Sequence, residues 1–94
     1  MSFMDMHERY IEVTYRKGRP IAAYLYLPRK SGDTSARTIS AAHGLLVDCT
    51  ADGRAIGIEI LNPAALTLKN LNEVLSNLSI VPLAPNELPP MLAE

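Results

Sequence analysis

Between Leu45 and Leu66 the chain reads LLVDCTADGRAIGIEILNPAAL, and no other stretch constrains the fold as tightly. Two runs of alternating apolar residues flank Asp52-Gly53, a dipeptide suited to the left-handed backbone of a tight β-turn. The pattern predicts an antiparallel hairpin with strands over residues 45–49 and 55–61. Turn length decides the register. A three-residue loop would set Thr50 opposite Arg54, Ile56 opposite Asp48 and Ile58 opposite Leu46, mixing apolar and charged positions. A two-residue type I′ turn sets Ile56, Ile58 and Ile60 opposite Cys49, Val47 and Leu45. Only the second gives one clean apolar face, and a slip of one residue would spoil it. The two-residue turn is therefore expected.

That register puts Asp48 and Glu59 on one face as diagonal neighbours, roughly 7–8 Å apart at the backbone. Leu46, Leu61 and the bare backbone of Gly57 share the face, and a glycine opposite Asp48 permits close approach by a ligand or another chain. Three roles for the carboxylates stand open. They can be solvated, with Asp48 in a local hydrogen bond or paired with Arg54 or Arg37. They can lie in an interface, with Glu59 paired to an arginine or capping a partner helix. Or they can form an acid–base pair or cation site.

Around the hairpin, residues 10–15 (YIEVTY) alternate as a half-buried strand, Gly18 supplies a turn, and residues 20–27 (PIAAYLYL) form a second strand. Ile21, Ala23, Leu25 and Leu27 share one face of it, Ala22, Tyr24 and Tyr26 the other. Residues 28–36 read as a loop, and residues 37–42 as a weak strand centred on Ile39. Asn62-Pro63 has the form of an N-cap followed by proline at the first helical position. Leu68, Leu71, Leu75 and Leu78 then recur at helical spacing with Val74 beside them, which predicts an amphipathic helix within residues 64–79. Asn70 and Glu73 have the spacing of a capping box, with a break in the helix near Asn70. Residues 1–9 are expected as a flexible arm, residues 10–80 as one domain and residues 81–94 as a proline-rich tail laid along a partner or the sheet edge.

At 94 residues, with apolar types making up 48%, the chain is a single small globular domain rather than a disordered one. A lone cysteine, Cys49, excludes an internal disulfide framework; with no signal-peptide pattern it favours the cytoplasm. No apolar run reaches the ~20 residues of a membrane helix. The net charge of −1 conceals a split: residues 9–37 hold seven basic and two acidic residues, residues 38–94 two basic and six acidic. Such a split suits a basic binding face or charges that meet across the surface or a dimer.

Other chemistry finds little footing. His43, Asp48 and Cys49, with His7 far off in the arm, lack zinc-ligand spacing, so no metal or cofactor is expected. Cys49 falls on the isoleucine face as a small buried hydrophobe. No nucleophile elbow or phosphate-binding glycine loop is present. Arg16, Lys17 and Arg19, with Arg29 and Lys30, could touch nucleic acid, and Tyr24 and Tyr26 could stack on bases, although strand tyrosines more often serve packing.

Val47-Asp48, Asp52-Gly53-Arg54, Gly57-Ile58-Glu59-Ile60-Leu61, then Asn62 and Ala64 or Ala65, resemble the small bacterial family known as domain of unknown function 2283. Tyr15 and the strand Ile21-Ala22-Ala23-Tyr24-Leu25-Tyr26-Leu27 are similar to that family's opening segment. The likeness spans about residues 10–66. It departs where the family's usual acids are replaced by Gly18, Arg19, Pro20 and Ala22, which puts any site built on those acids in doubt. The resemblance implies a fold class more than a function: it brings no established activity with it, and the family's members look like small partners encoded beside other small proteins.

The expectation is an α+β domain: an antiparallel sheet of four or five strands in meander order with one C-terminal amphipathic helix on its isoleucine face. The second face, with Tyr24, Tyr26, Leu46, Gly57, Glu59 and Leu61, is too apolar to rest in water, which predicts a homodimer acting as a non-enzymatic interaction module. The alternative is a small enzyme or ion-binding protein using Asp48 and Glu59.

Overall fold

The computed structural model describes residues 8–88. Five strands, β1 (Tyr10–Arg16), β2 (Arg19–Tyr26), β3 (Arg37–Ser40), β4 (Leu45–Cys49) and β5 (Ala55–Ile60), form one antiparallel sheet, followed by helix α1 (Leu68–Asn77). The α+β class holds. The strand order is β1-β2-β5-β4-β3, so it departs from the sequential meander expected. β3, β4 and β5 do run as a meander, but β2 lies beside β5. The pairing matches like with like: Ala23 and Leu25 of β2 align with Ile60 and Ile58 of β5. β3, exposed at every position, takes an edge.

The connection from β2 to β3 therefore crosses the ends of two strands and is pinned on the way. Leu27 N–H and Arg29 Nη2 both donate to the Ile56 carbonyl. Asp33 accepts a two-pronged grip from Arg54 at 2.7 and 3.0 Å, and its carboxylate also takes the Lys30 N–H at 2.8 Å. The Arg54 guanidinium, followed by the Lys30 amide, holds the Asp33 carboxyl down to about 2.

At the tip of the β4–β5 hairpin the expected two-residue turn gives way to a three-residue loop. Thr50 N–H donates to Arg54 O at 2.9 Å, and Gly53 N–H to Thr50 O at 3.0 Å, with Gly53 at φ +94°. Asp-Gly suits this turn as well, because a glycine at the left-handed position closes a type I turn into a bulged hairpin. A bulge then absorbs one residue. Cys49 pairs with Ala55 but Asp48 with Gly57, so Ile56 is extra. The remaining register is the one expected: Val47 opposite Ile58, Leu45 opposite Ile60, Leu46 opposite Glu59. Ile56 thus does not face Cys49; it is buried outside the main core cluster.

A second irregularity, between Thr14 and Tyr15, moves Ile21 out of the apolar row expected of β2. The register passes from Thr14–Ala22 to Tyr15–Pro20, and Ile21 is left 46% exposed. The core proper joins Ala23, Leu25, Leu27, Leu45, Val47, Cys49, Ile58 and Ile60 to Leu71, Val74 and Leu75 of the helix.

The helix starts later than Asn62-Pro63 suggests. Those residues open a short 3₁₀ turn, Pro63–Ala65, and the Asn62 side chain caps nothing. Thr67 is the N-cap of α1, its hydroxyl accepting from Asn70 N–H at 3.1 Å, so Asn70 is the capped residue rather than the cap. Glu73 reaches His43 Nε2 at 2.8 Å instead of closing a capping box. At the other end Ser79 adopts φ +61°, with Ile80 N–H bonded to Leu75 O and Ser79 N–H to Ser76 O, a Schellman closure without glycine.

Beyond the helix the chain folds back. The Asn72 amide brackets Leu83, donating to its carbonyl at 3.0 Å and accepting its N–H at 2.7 Å, and Leu83 is buried. Arg9 donates to the carbonyls of Val81 and Pro82 and pairs with Glu87. The rest of the expected arm and tail, residues 1–7 and 89–94, lies outside the described residues. Among the described residues no helix is long and apolar enough to cross a membrane.

Candidate functional site

The sheet face away from α1 collects nearly every residue singled out in the sequence. Its geometry follows from the pairings, which run through all five strands. One row reads Tyr10, Tyr26, Gly57, Asp48, Thr38; the next reads Glu12, Tyr24, Glu59, Leu46, Ser40. Asp48 and Glu59 do sit diagonally on one face, as the register argument requires.

Asp48 is held from both sides. Tyr24 Oη donates to its Oδ2 at 2.6 Å and Thr38 Oγ1 to its Oδ1 at 2.6 Å. Tyr24 belongs to β2, two strands away, and reaches Asp48 by lying across Gly57. A Cβ built on Gly57 would collide with the Tyr24 hydroxyl and ring. The room opposite Asp48 is therefore filled by the chain's own tyrosine. Burial, then the bond to Asp48, pushes the Tyr24 hydroxyl well above its ordinary value, which keeps it a donor.

Tyr26 anchors the neighbouring aromatic cluster. Tyr10 stacks on it with ring centres 4.6 Å apart, and Tyr24 meets it edge-on at 4.7 Å. Its hydroxyl donates to Glu12 at 3.2 Å, and the Arg29 guanidinium lies 5.6 Å from its ring centre. Burial first, then Glu12, raises the Tyr26 hydroxyl above its ordinary value. Glu59 is half-buried between Tyr24 and Leu46, and among the described residues nothing donates to it. Leu61, just beyond β5, is 52% exposed.

This arrangement leaves Asp48 poorly placed to take a proton. Each Asp48 oxygen already accepts a short bond, so action as a base would require displacing a hydroxyl. Arg54 is committed to Asp33 and Asp52 and does not reach Asp48. Among the described residues no three His, Cys, Asp or Glu side chains are grouped to hold a metal ion. Cys49 is buried as a free thiol, and His7 lies outside the described residues. A cleft of about 310 Å³ opens elsewhere, lined by His43, Asn62 and Asn70 among others and by neither Asp48 nor Glu59.

Arg16, Lys17 and Arg19 are exposed at the β1–β2 turn, with Arg16 paired to Arg19. They are separated from the tyrosines by the length of the hairpin and do not form one platform with them. Tyr10, Glu12 and Thr38 were not foreseen as members of this face. The strand alternation of residues 10–15 held a signal for the first two, while Thr38 becomes visible only once β3 is known to pair with β4. No family model matches the chain, and no curated protein or solved structure does either, so the likeness to the domain of unknown function 2283 rests on the quoted segments alone.

Proposed function

We propose that this chain is a non-enzymatic protein–protein interaction module that works as a homodimer through the open face of its sheet. One observation carries the reading. Asp48, at the middle of that face, is satisfied within the chain by Tyr24 and Thr38, while Tyr10 and Leu61 remain 50% and 52% exposed. A broad surface of tyrosine and leucine, with Asp48 and Glu12 already bonded and Glu59 standing alone among the described residues, suits docking better than turnover. The competing reading, an acid–base or ion site at Asp48 and Glu59, would need Asp48 released from Tyr24 and Thr38. Size-exclusion chromatography with light scattering, run as a concentration series, tests the dimer. The expected mass at tens of micromolar is about 21 kDa, twice the 10.3 kDa chain; a steady single-chain mass would sink it.

A further inference from the structure

The open face is polarised along the strands. Alternation places Tyr10, Glu12 and Thr14 of β1 on this face, and past the irregularity at Thr14 and Tyr15 the exposed Arg16 pairs with the exposed Arg19. With Lys17 in the turn, one end of the hairpin carries three cations. The other end carries the Tyr10–Tyr26–Tyr24 cluster with Glu12, Asp48 and Glu59 close by. Arg29 is a cation at that end, and it is engaged with the Ile56 carbonyl and the Tyr26 ring.

We infer that two copies pack open face to open face about a two-fold axis crossing the strands, setting Arg16 and Arg19 of each copy on the exposed Tyr10 ring of the other, beside Glu12. This rests on the dimer reading above and adds the orientation and the charges that fix it. A two-fold interface must be self-complementary. With the strands of the copies parallel, the cationic turns would stack on each other. With them antiparallel, each turn meets an aromatic ring and a carboxylate, the two groups a guanidinium binds best. The axis passes between Glu12 and Thr14, midway along the roughly 20 Å from Tyr10 to Arg16.

Other occupants satisfy only half the surface. A basic peptide would suit the tyrosines and Glu12 but leave the cationic turn bare. A nucleic-acid strand would suit the turn but meet three carboxylates. A second copy answers both ends at once. The flat face, about five strands wide at ~4.8 Å each and ~20 Å long, covers roughly 500 Å², below the ~800 Å² per partner of a standard interface. The charge pairs therefore matter, and self-association should weaken as salt rises.

Charge reversal of the full-length chain tests the orientation. Arg16→Glu with Arg19→Glu sets an acidic turn against Glu12 of the second copy. Glu12→Arg instead sets the basic turn of one copy against the cation introduced in the other. Sedimentation at micromolar concentration should show each variant at least tenfold weaker in self-association than the wild type. An equimolar mixture should recover a dimer, because both contacts are then complementary. That recovery also shows that both variants are folded. A wild-type dimer whose variants associate unchanged, or whose mixture stays monomeric, overturns the orientation and leaves the dimer reading intact. A wild type that stays monomeric overturns both. If that monomer binds a thymidine oligonucleotide or oligolysine, the occupant is nucleic acid or a basic peptide instead.

Discussion

The two faces of the sheet reach stability by different means. On the helix side the row Ile11, Leu25, Ile58, Val47, Ile39 is apolar throughout, and its three central members are completely buried. On the open side the equivalent rows are tied by hydroxyl–carboxylate bonds and aromatic contacts. The first face depends on excluded water and close packing, so it tolerates little loss of volume. The second keeps its order while still wet, and it leaves Tyr10 half-exposed. A small domain with one helix can cover only one face, and the polar cross-links keep the uncovered one in a single arrangement.

Four experiments would break or sharpen this contrast. The largest effect belongs to the packed side. Ile58→Ala should cost about 2–5 kcal/mol in urea unfolding, whereas Leu46→Ala, on the open side, should cost under ~1.5 kcal/mol in the monomer. Equal losses would mean that both faces are cores.

Next comes Gly57→Ala, whose methyl would collide with Tyr24. A loss of about 1–3 kcal/mol is expected as Tyr24 is pushed off Asp48. In a Tyr24→Ala background the same change should cost far less, and a double-mutant cycle measures that coupling. Additive losses would show that Tyr24 does not need the glycine.

Tyr24→Phe is smaller, about 1 kcal/mol, for one hydrogen bond on a half-exposed face. Its pH signature is sharper. The hydroxyl is raised above its ordinary 10.0 in the folded chain, so its contribution is full below pH 10 and fades as pH climbs through the folded value. The wild type should lose stability over that alkaline range, and Tyr24→Phe should lack that part of the slope. Off both faces, Asp33 gives the mildest effect, with the opposite sign. Its carboxyl is lowered from 3.8 to about 2, so the stability it adds is present above 3.8 and lost as pH falls through about 2. Acid unfolding of Asp33→Asn should be flatter in that window.

Alternation alone made the strands, the apolar face and the β4–β5 pairing legible, because side-chain parity in a strand is a property of single residues. It could not show how the hairpin closes. Asp-Gly fits a two-residue turn and also a three-residue loop, and the extra residue is recovered at Ile56. Nor could it show the Tyr24–Asp48 bond, which exists only because β2 lies beside β5, a fact set by packing across a long connection. The helix ends misled for local reasons. Asn62-Pro63 is a sound helix opening that spends itself on a 3₁₀ turn, and Ser79 stands where glycine would have marked the stop.

The claim that the open face docks a second copy is tested most directly by sedimentation velocity of the wild type beside Leu61→Arg. Leu61 is 52% exposed and outside the core, so the change should leave the monomer folded. The account predicts about 21 kDa for the wild type, twice 10.3 kDa, and 10.3 kDa for the variant. Identical masses for the two, whether single or doubled, would contradict it.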